Sequence, residues 1–179
     1  PGATSTTDFM GRAEKKPTLD ELVDGHLPET FRFALRLTGD PQQAEELVQE
    51  ALVRVARSWN TFRGEAQFRT WLFRIVINAF RDRLSKTQPA QPLSGDQVDR
   101  RQADPQAAAQ AAELGRLIAE RVSTLPPRQR EVLVLVVYES LPVRDVAELL
   151  QITEANVHAT LHAAREKLRR DLAFYLAEK

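Results

Sequence analysis

Apolar residues in this chain recur every three or four positions and almost never every second one, which confines it to helices. Ala, Leu, Arg, Glu and Gln dominate, while runs of β-branched residues are sparse and only 7 of 179 residues are glycine. An all-α fold follows. Its breaks are marked by capping residues and prolines. Thr38-Gly39-Asp40-Pro41 stops one helix and starts the next, with Asp40 as N-cap and Pro41 at the first helical position. Asp104-Pro105 repeats that signal, Thr124-Leu125-Pro126-Pro127 begins a further helix, and Leu141-Pro142 interrupts before Val143.

These breaks divide the chain into two small helical domains. Residues 1–17 lack periodicity and read as a flexible leader; Met10 is the only methionine, so what precedes it reads as a cloning remnant. The first domain is expected over 18–86. Leu22, Phe31, Phe33, Ala34 and Leu37 form one buried face, and Leu47, Val48, Ala51, Leu52 and Val55 continue at the same spacing. A break around Asn60 to Gln67 contains Gly64, and a strongly apolar helix starts at Phe68. Residues 87–104 hold Pro89, Pro92 and Gly95 among Gln, Ser and Asp, the composition of a flexible linker. The second domain is expected over 105–179, opening with an Ala-rich helix through Leu114, Leu117, Ile118 and Val122.

Composition excludes several classes. Without cysteine there is neither a disulfide scaffold nor a thiolate metal site. No apolar run approaches the roughly 20 residues of a membrane span, and no signal-peptide core is present. Lys+Arg and Asp+Glu balance at 25 each, so any attraction to nucleic acid must come from local charge. Such local charge exists. Arg63, Arg69, Arg74, Arg81, Arg83 and Lys86 face only Glu65 and Asp82, six bases against two acids, whereas Asp40 to Glu50 holds four acids and no base.

Wound at about 100° per residue, the helix from Phe68 puts Phe68, Leu72, Ile75, Val76 and Ala79 on a core stripe. Arg74, Asn78, Arg81 and Ser85 fall on another face. Guanidinium and amide groups in such a row can follow a phosphate backbone and hydrogen-bond a base edge. Trp59, Phe62 and Trp71 lie nearby in sequence, and aromatic faces can hold unstacked bases. On these residues alone the plainer reading, core aromatics beside solvated arginines, is preferred.

From Val143 to Arg170 the pattern is that of a helix-turn-helix: a short helix with Ala147, a turn at Gln151-Ile152-Thr153, and a longer helix from Glu154 with Val157, Leu161 and Leu168. Thr153 is placed to cap the longer helix. Arg165, Lys167, Arg169 and Arg170 follow, suited to phosphate or to the helix dipole. His158 and His162 stand four apart, but no further ligand completes a metal site. No nucleophile–base pair, phosphate loop or paired carboxylates occur, so no enzyme and no cofactor is expected.

Taken together, Asp40 to Leu52 (DPQQAEELVQEAL), Phe62 to Asn78 (FRGEAQFRTWLFRIVIN) and Leu125 to Leu135 (LPPRQREVLVL) followed by the helix-turn-helix resemble extracytoplasmic-function (group IV) RNA polymerase sigma factors. The likeness covers nearly all of Thr18 to Leu172, in order. It moves the aromatic–arginine helix from the plainer reading to the functional one. It implies an alternative sigma factor that binds RNA polymerase core, directs promoter recognition and melting, and performs no bond chemistry. The first domain would be sigma region 2 and the second sigma region 4.

By this resemblance Glu45, Glu46, Leu47, Gln49 and Glu50 would dock on the clamp helices of the large polymerase subunit. Arg54, Phe62, Arg63, Trp71, Arg74, Asn78 and Arg81 would bind the minus-10 element, with Phe62 stacking on a base, Asn78 reading its edge, and Arg54 and Arg74 on phosphate. Thr153, Asn156, His158, Thr160, His162, Arg165 and Lys167 would face the minus-35 element. An anti-sigma partner, a cytoplasmic location and no membrane insertion are further implications.

The second domain departs from the family pattern. Val157 to Arg165 (VHATLHAAR) is nearly free of the Lys, Arg and Ser that the family carries there. Each missing bidentate arginine–guanine pair is worth about 1–3 kcal/mol of discrimination. Three explanations stay open: an altered minus-35 contact, reliance on minus-10 contacts, or a shift to protein binding. The last would make the chain a sigma mimic that sequesters an anti-sigma factor.

Overall fold

The structure is a computed structural model that describes residues 18–62, 67–86 and 105–177, and every described regular element is helical. The leader 1–17, Arg63 and the whole of the 87–104 linker expectation therefore lie outside the described residues. Helix α1 spans Leu19–Thr38, α2 Pro41–Ser58, α3 Phe68–Lys86, α4 Pro105–Ser123, α5 Pro127–Leu133, α6 Val143–Leu150 and α7 Glu154–Ala177. A single 3₁₀ turn, Trp59–Thr61, extends α2, and a π turn, Val134–Tyr138, extends α5.

The helix boundaries follow from local chemistry. Thr18 and Glu21 form a reciprocal capping box that satisfies orphan N–H groups at the start of α1. At its end Gly39 takes φ +75° and donates its N–H to Leu35 O at 2.8 Å. Asp40 then accepts from Gln43 N at 2.8 Å and caps α2, with Pro41 first inside it. Thr153 accepts from Asn156 N at 3.2 Å and caps α7. Between α6 and α7, Gln151 adopts φ +56° and the Ile152 N–H bonds Ala147 O at 2.9 Å, which makes the sharp turn of a helix-turn-helix.

Helices α1, α2 and α3 pack against one another, α5 and α6 pack against α7, and α4 lies against both α1 and α7. The buried apolar residues form one cluster that runs through all of them. Helix α3 sits where the two groups meet. Its expected stripe of Phe68, Leu72, Val76 and Ala79 is buried, Ile75 is only half-buried, and Phe73, Ile77 and Phe80 are buried as well. The buried arc is thus about half of the helix circumference. Phe73 stacks on Phe33 of α1 with centroids 4.2 Å apart, and Phe80 lies under the Arg130 guanidinium of α5 at 5.8 Å. Two neighbours cover α3, where periodicity alone anticipates one.

Candidate nucleic-acid interface

The short turn after α2 and the first turns of α3 bring four aromatic rings together. Phe62 stacks on Trp59 with centroids 5.4 Å apart and planes at 20°, leans on Trp71 at 5.0 Å, and meets Phe68 edge-on at 5.8 Å. His26 of α1 closes the cluster against Phe68 at 5.2 Å. Phe68 is buried, while Trp59, Phe62 and Trp71 each keep part of their surface exposed. The Phe62 face assigned to a base is thus partly covered by protein rings, so a base would stack on its outer side or displace it.

Beside this cluster, Trp71 and Asn78 share one side of α3, with Arg74 and Arg81 at its flank. Asn78 is exposed. The arginines are not simply solvated. Arg81 forms a fork to Glu131 of α5, Nε to Oε1 at 2.8 Å and Nη2 to Oε2 at 2.6 Å; these hydrogen bonds outweigh burial and raise its pKa. The Glu131 side chain is only 2% exposed, and Arg128 also donates to it at 3.1 Å. Arg74 approaches Glu148 of α6 at 3.9 Å, and its Nε is buried without a hydrogen-bond partner. Arg54 of α2 bridges Glu50 and Asp82, the latter at 2.7 Å; burial opposes its charge, but the two carboxylates win and raise its pKa. It therefore ties α2 to α3.

A second set of ionic contacts lies at the other end of α3. Glu139, just beyond the π turn, accepts from Arg36 at 3.1 Å and from Arg69 at 2.8 Å, and Arg69 also holds Glu29 at 2.6 Å. Burial raises the Glu139 pKa; Arg36 and Arg69 oppose that shift and Glu29 adds to it. Arg130 donates to Leu37 O at the end of α1 and to Leu125 O at 3.0 Å, and burial lowers its pKa to about 10. It thereby caps α1 from a helix in the other group.

On α2, Glu45, Glu46 and Gln49 are exposed; Glu46 pairs with Arg83 and Glu50 with Arg54. Leu47 is fully buried in the core, so it cannot dock on a partner. Its place beside Ala44, Val48 and Ala51 explains this. Sequence reasoning missed Val53, an apolar side chain 50% exposed among these residues; its position off the core period was the available signal.

On α7 the residues assigned to minus-35 DNA do not share one face. Val157, Leu161 and Ala164 are buried. His158, His162 and Arg165 lie on one flank of that stripe; Asn156, Thr160 and Lys167 lie on the other. All but Thr160 and Lys167 are exposed, and Lys167 pairs with Asp171 at 2.8 Å. Exposed Thr153 acts as the cap. Among the described residues no group of three His, Cys, Asp or Glu could hold a metal, and no helix is long and apolar enough to cross a membrane.

Comparison with known proteins places this geometry. The Sigma-70 region 2 family matches residues 22–89 and the Sigma-70 region 4 family matches 115–168. The chain is 31% identical over 182 residues to ECF RNA polymerase sigma factor SigE of Mycolicibacterium smegmatis, covering 99% of this chain and 70% of that protein. It is 28% identical over 163 residues to ECF RNA polymerase sigma factor SigW of Bacillus subtilis, covering 85% and 87%. In fold it is similar to the sigma factor RpoE of Bartonella quintana, solved in complex with the anti-sigma factor NepR: TM-score 0.66, 20% identity, 86% of this chain and 96% of that one. With both family matches in order along the chain and a relative 31% identical over almost its whole length, the chain is a member of the extracytoplasmic-function RNA polymerase sigma factors.

Proposed function

We propose that this sigma factor docks on RNA polymerase core through the outer face of α2 and then holds the minus-10 element on α3. Glu45, Glu46, Gln49 and Val53 form the docking face. Trp59, Phe62 and Trp71 supply stacking surface for an unstacked base, Asn78 reads its edge, and Arg74 and Arg81 hold phosphates. Residues 18–86 act as the core-binding and minus-10 unit, and 105–179 as the minus-35 unit, with α7 entering the major groove. The chain is a cytoplasmic initiation factor rather than an enzyme, and an anti-sigma factor is its regulatory partner. The observation that carries this reading is exposed Asn78 beside both the aromatic cluster and the Arg74–Arg81 row.

The test is transcription by core polymerase plus this chain on a randomised promoter library. Enrichment of a two-part promoter is expected, and Asn78→Ala or Phe62→Ala should abolish it while core binding persists. Failure of the wild-type chain to bind core overturns the reading. Core binding without transcription on any library member would instead make the chain a mimic.

A further inference from the structure

The opening turns of α7 carry no permanent positive charge. From Glu154 to Ala164 there is no Lys or Arg, only one acid, Glu154, and two histidines, His158 and His162. With neutral imidazoles the segment sums to −1; with both protonated it sums to +1, two cations against one acid.

The pair sits where that change of sign meets the surroundings. Val157, Leu161 and Ala164 face the core, while Ala155, Ala159 and Ala163 are exposed on the opposite side. At about 100° per residue, His158 and His162 line one edge of that alanine face and Asn156 the other. Both imidazoles are exposed and stand one helical turn apart. With only alanines between the two edges, they are the largest polar side chains on this side of the helix.

Among the described residues no hydrogen bond or ion pair reaches either ring. Along α7 their charged neighbours are Glu154 one turn before, and Arg165 and Glu166 one turn after. The charged groups of the helices packed on α7 are directed elsewhere. On α5, Arg128 pairs with Glu131, which also takes Arg81, and Arg130 donates to Leu37 O. Glu148 of α6 is nearest Arg74; on α4, Glu113 accepts from Tyr175 and Glu120 meets Arg121. Arg116 of α4 and Arg144 and Asp145 of α6 make no hydrogen bond or ion pair with either imidazole.

An imidazole changes charge between about pH 5 and 8. Neutral, it offers DNA one N–H; protonated, it offers two, each in a charge-assisted bond. Phosphate anions close to the ring favour the charged form. The DNA-bound chain therefore holds more protons than the free chain over this range, and by linkage its affinity rises as pH falls.

We propose that His158 and His162 make minus-35 recognition proton-dependent, the recognition helix gaining its cationic contacts to the duplex only when this pair is protonated. The inference rests on the assignment of α7 to the minus-35 major groove. It also gives the departure of VHATLHAAR from the family pattern a consequence. Lys or Arg would hold the element equally at any pH near neutrality, whereas this helix tightens its hold as the medium acidifies.

The test uses core polymerase loaded with the full chain, and a duplex promoter enriched in the library selection described above. Affinity is measured at constant ionic strength at about pH 6, 7 and 8, which spans the imidazole range. A companion duplex lacks the minus-35 segment. Between pH 8 and 6, affinity for the full duplex should rise about tenfold more than affinity for the companion. His158→Gln combined with His162→Gln should lose this excess and keep the weaker affinity throughout. His158→Lys combined with His162→Lys should bind tightly with no such pH dependence. Both positions are exposed, so neither exchange disturbs the core. An excess absent from wild type, or retained in the Gln or Lys pair, overturns the proposal. If loss of the minus-35 segment weakens binding equally at every pH, the proposal falls and the minus-35 reading stands. If that loss has no effect at any pH, both fall.

Discussion

Replacing Gly39 with alanine tests the packing at the junction most directly. Gly39 has φ +75°, where a Cβ costs roughly 1–2 kcal/mol. Its new Cβ would also lie 2.4 Å from Ser123 Cβ and 3.0 Å from Ser123 Oγ, at the end of α4. Neither side yields freely. The Gly39 N–H closes α1 on Leu35 O, and Ser123 Oγ donates to Glu120 O at 2.7 Å. Overpacking of this kind costs about 1–3 kcal/mol, so Gly39→Ala should lose about 2–5 kcal/mol, the sum of the two effects. Ser123→Gly separates them. It removes both clashing atoms and leaves Ser123 Cα as the next neighbour, at an ordinary 3.8 Å. In that background only the dihedral cost persists, so the double-mutant cycle should show a coupling of about 1–3 kcal/mol. Urea unfolding followed by circular dichroism and by Trp59 and Trp71 fluorescence measures it, with coincident curves checking for a single transition. A coupling below about 0.5 kcal/mol would refute the reasoning, because α4 would then not stand against Gly39 in solution.

Phe73→Ala should cost about 3–5 kcal/mol in thermal unfolding, since a fully buried ring stacked on Phe33 leaves a cavity. Val53→Arg should weaken core binding about tenfold by pull-down titration, while its stability changes by less than about 0.5 kcal/mol, because the residue is exposed. Glu139 gives a pH dependence. Its pKa is raised in the folded chain, so its contribution to stability is fully present below the ordinary 4.5 and is lost as pH rises through the raised value. The stability of the wild-type chain relative to Glu139→Gln, measured by urea unfolding, should therefore increase as pH falls from neutrality toward that range.

What could be read from the sequence is local in origin. Asp40 and Thr153 act through hydrogen bonds three residues away, and both caps are where the sequence places them. The α2 core period likewise puts Leu47 inside, although the family resemblance assigns it to a partner; the local rule prevailed because burial is decided by which face of α2 meets α1 and α3. What could not be read depends on elements distant in sequence. Phe80 is surplus to the α3 stripe until Arg130 of the second helical group lies over its ring. Glu131, in the helix expected after Pro127, is buried with Arg81 opposite it, 50 residues away in sequence.

The balanced total of 25 basic and 25 acidic residues acquires a spatial meaning from these pairs. Counted along the chain, the basic segment at α3 and the acids of the later helices belong to separate blocks; in the structure they neutralise each other across the junction. Salt should not act equally on these contacts. Glu148 is exposed and stands 3.9 Å from the half-exposed Arg74, so raising ionic strength from about 0.1 M to 1 M, which shortens the screening length from about 10 to 3 Å, removes most of their attraction. Glu131 is buried, and its bonds to Arg81 are much less screened. Salt alone should therefore loosen the α6 end of the junction and leave the α5 end closed.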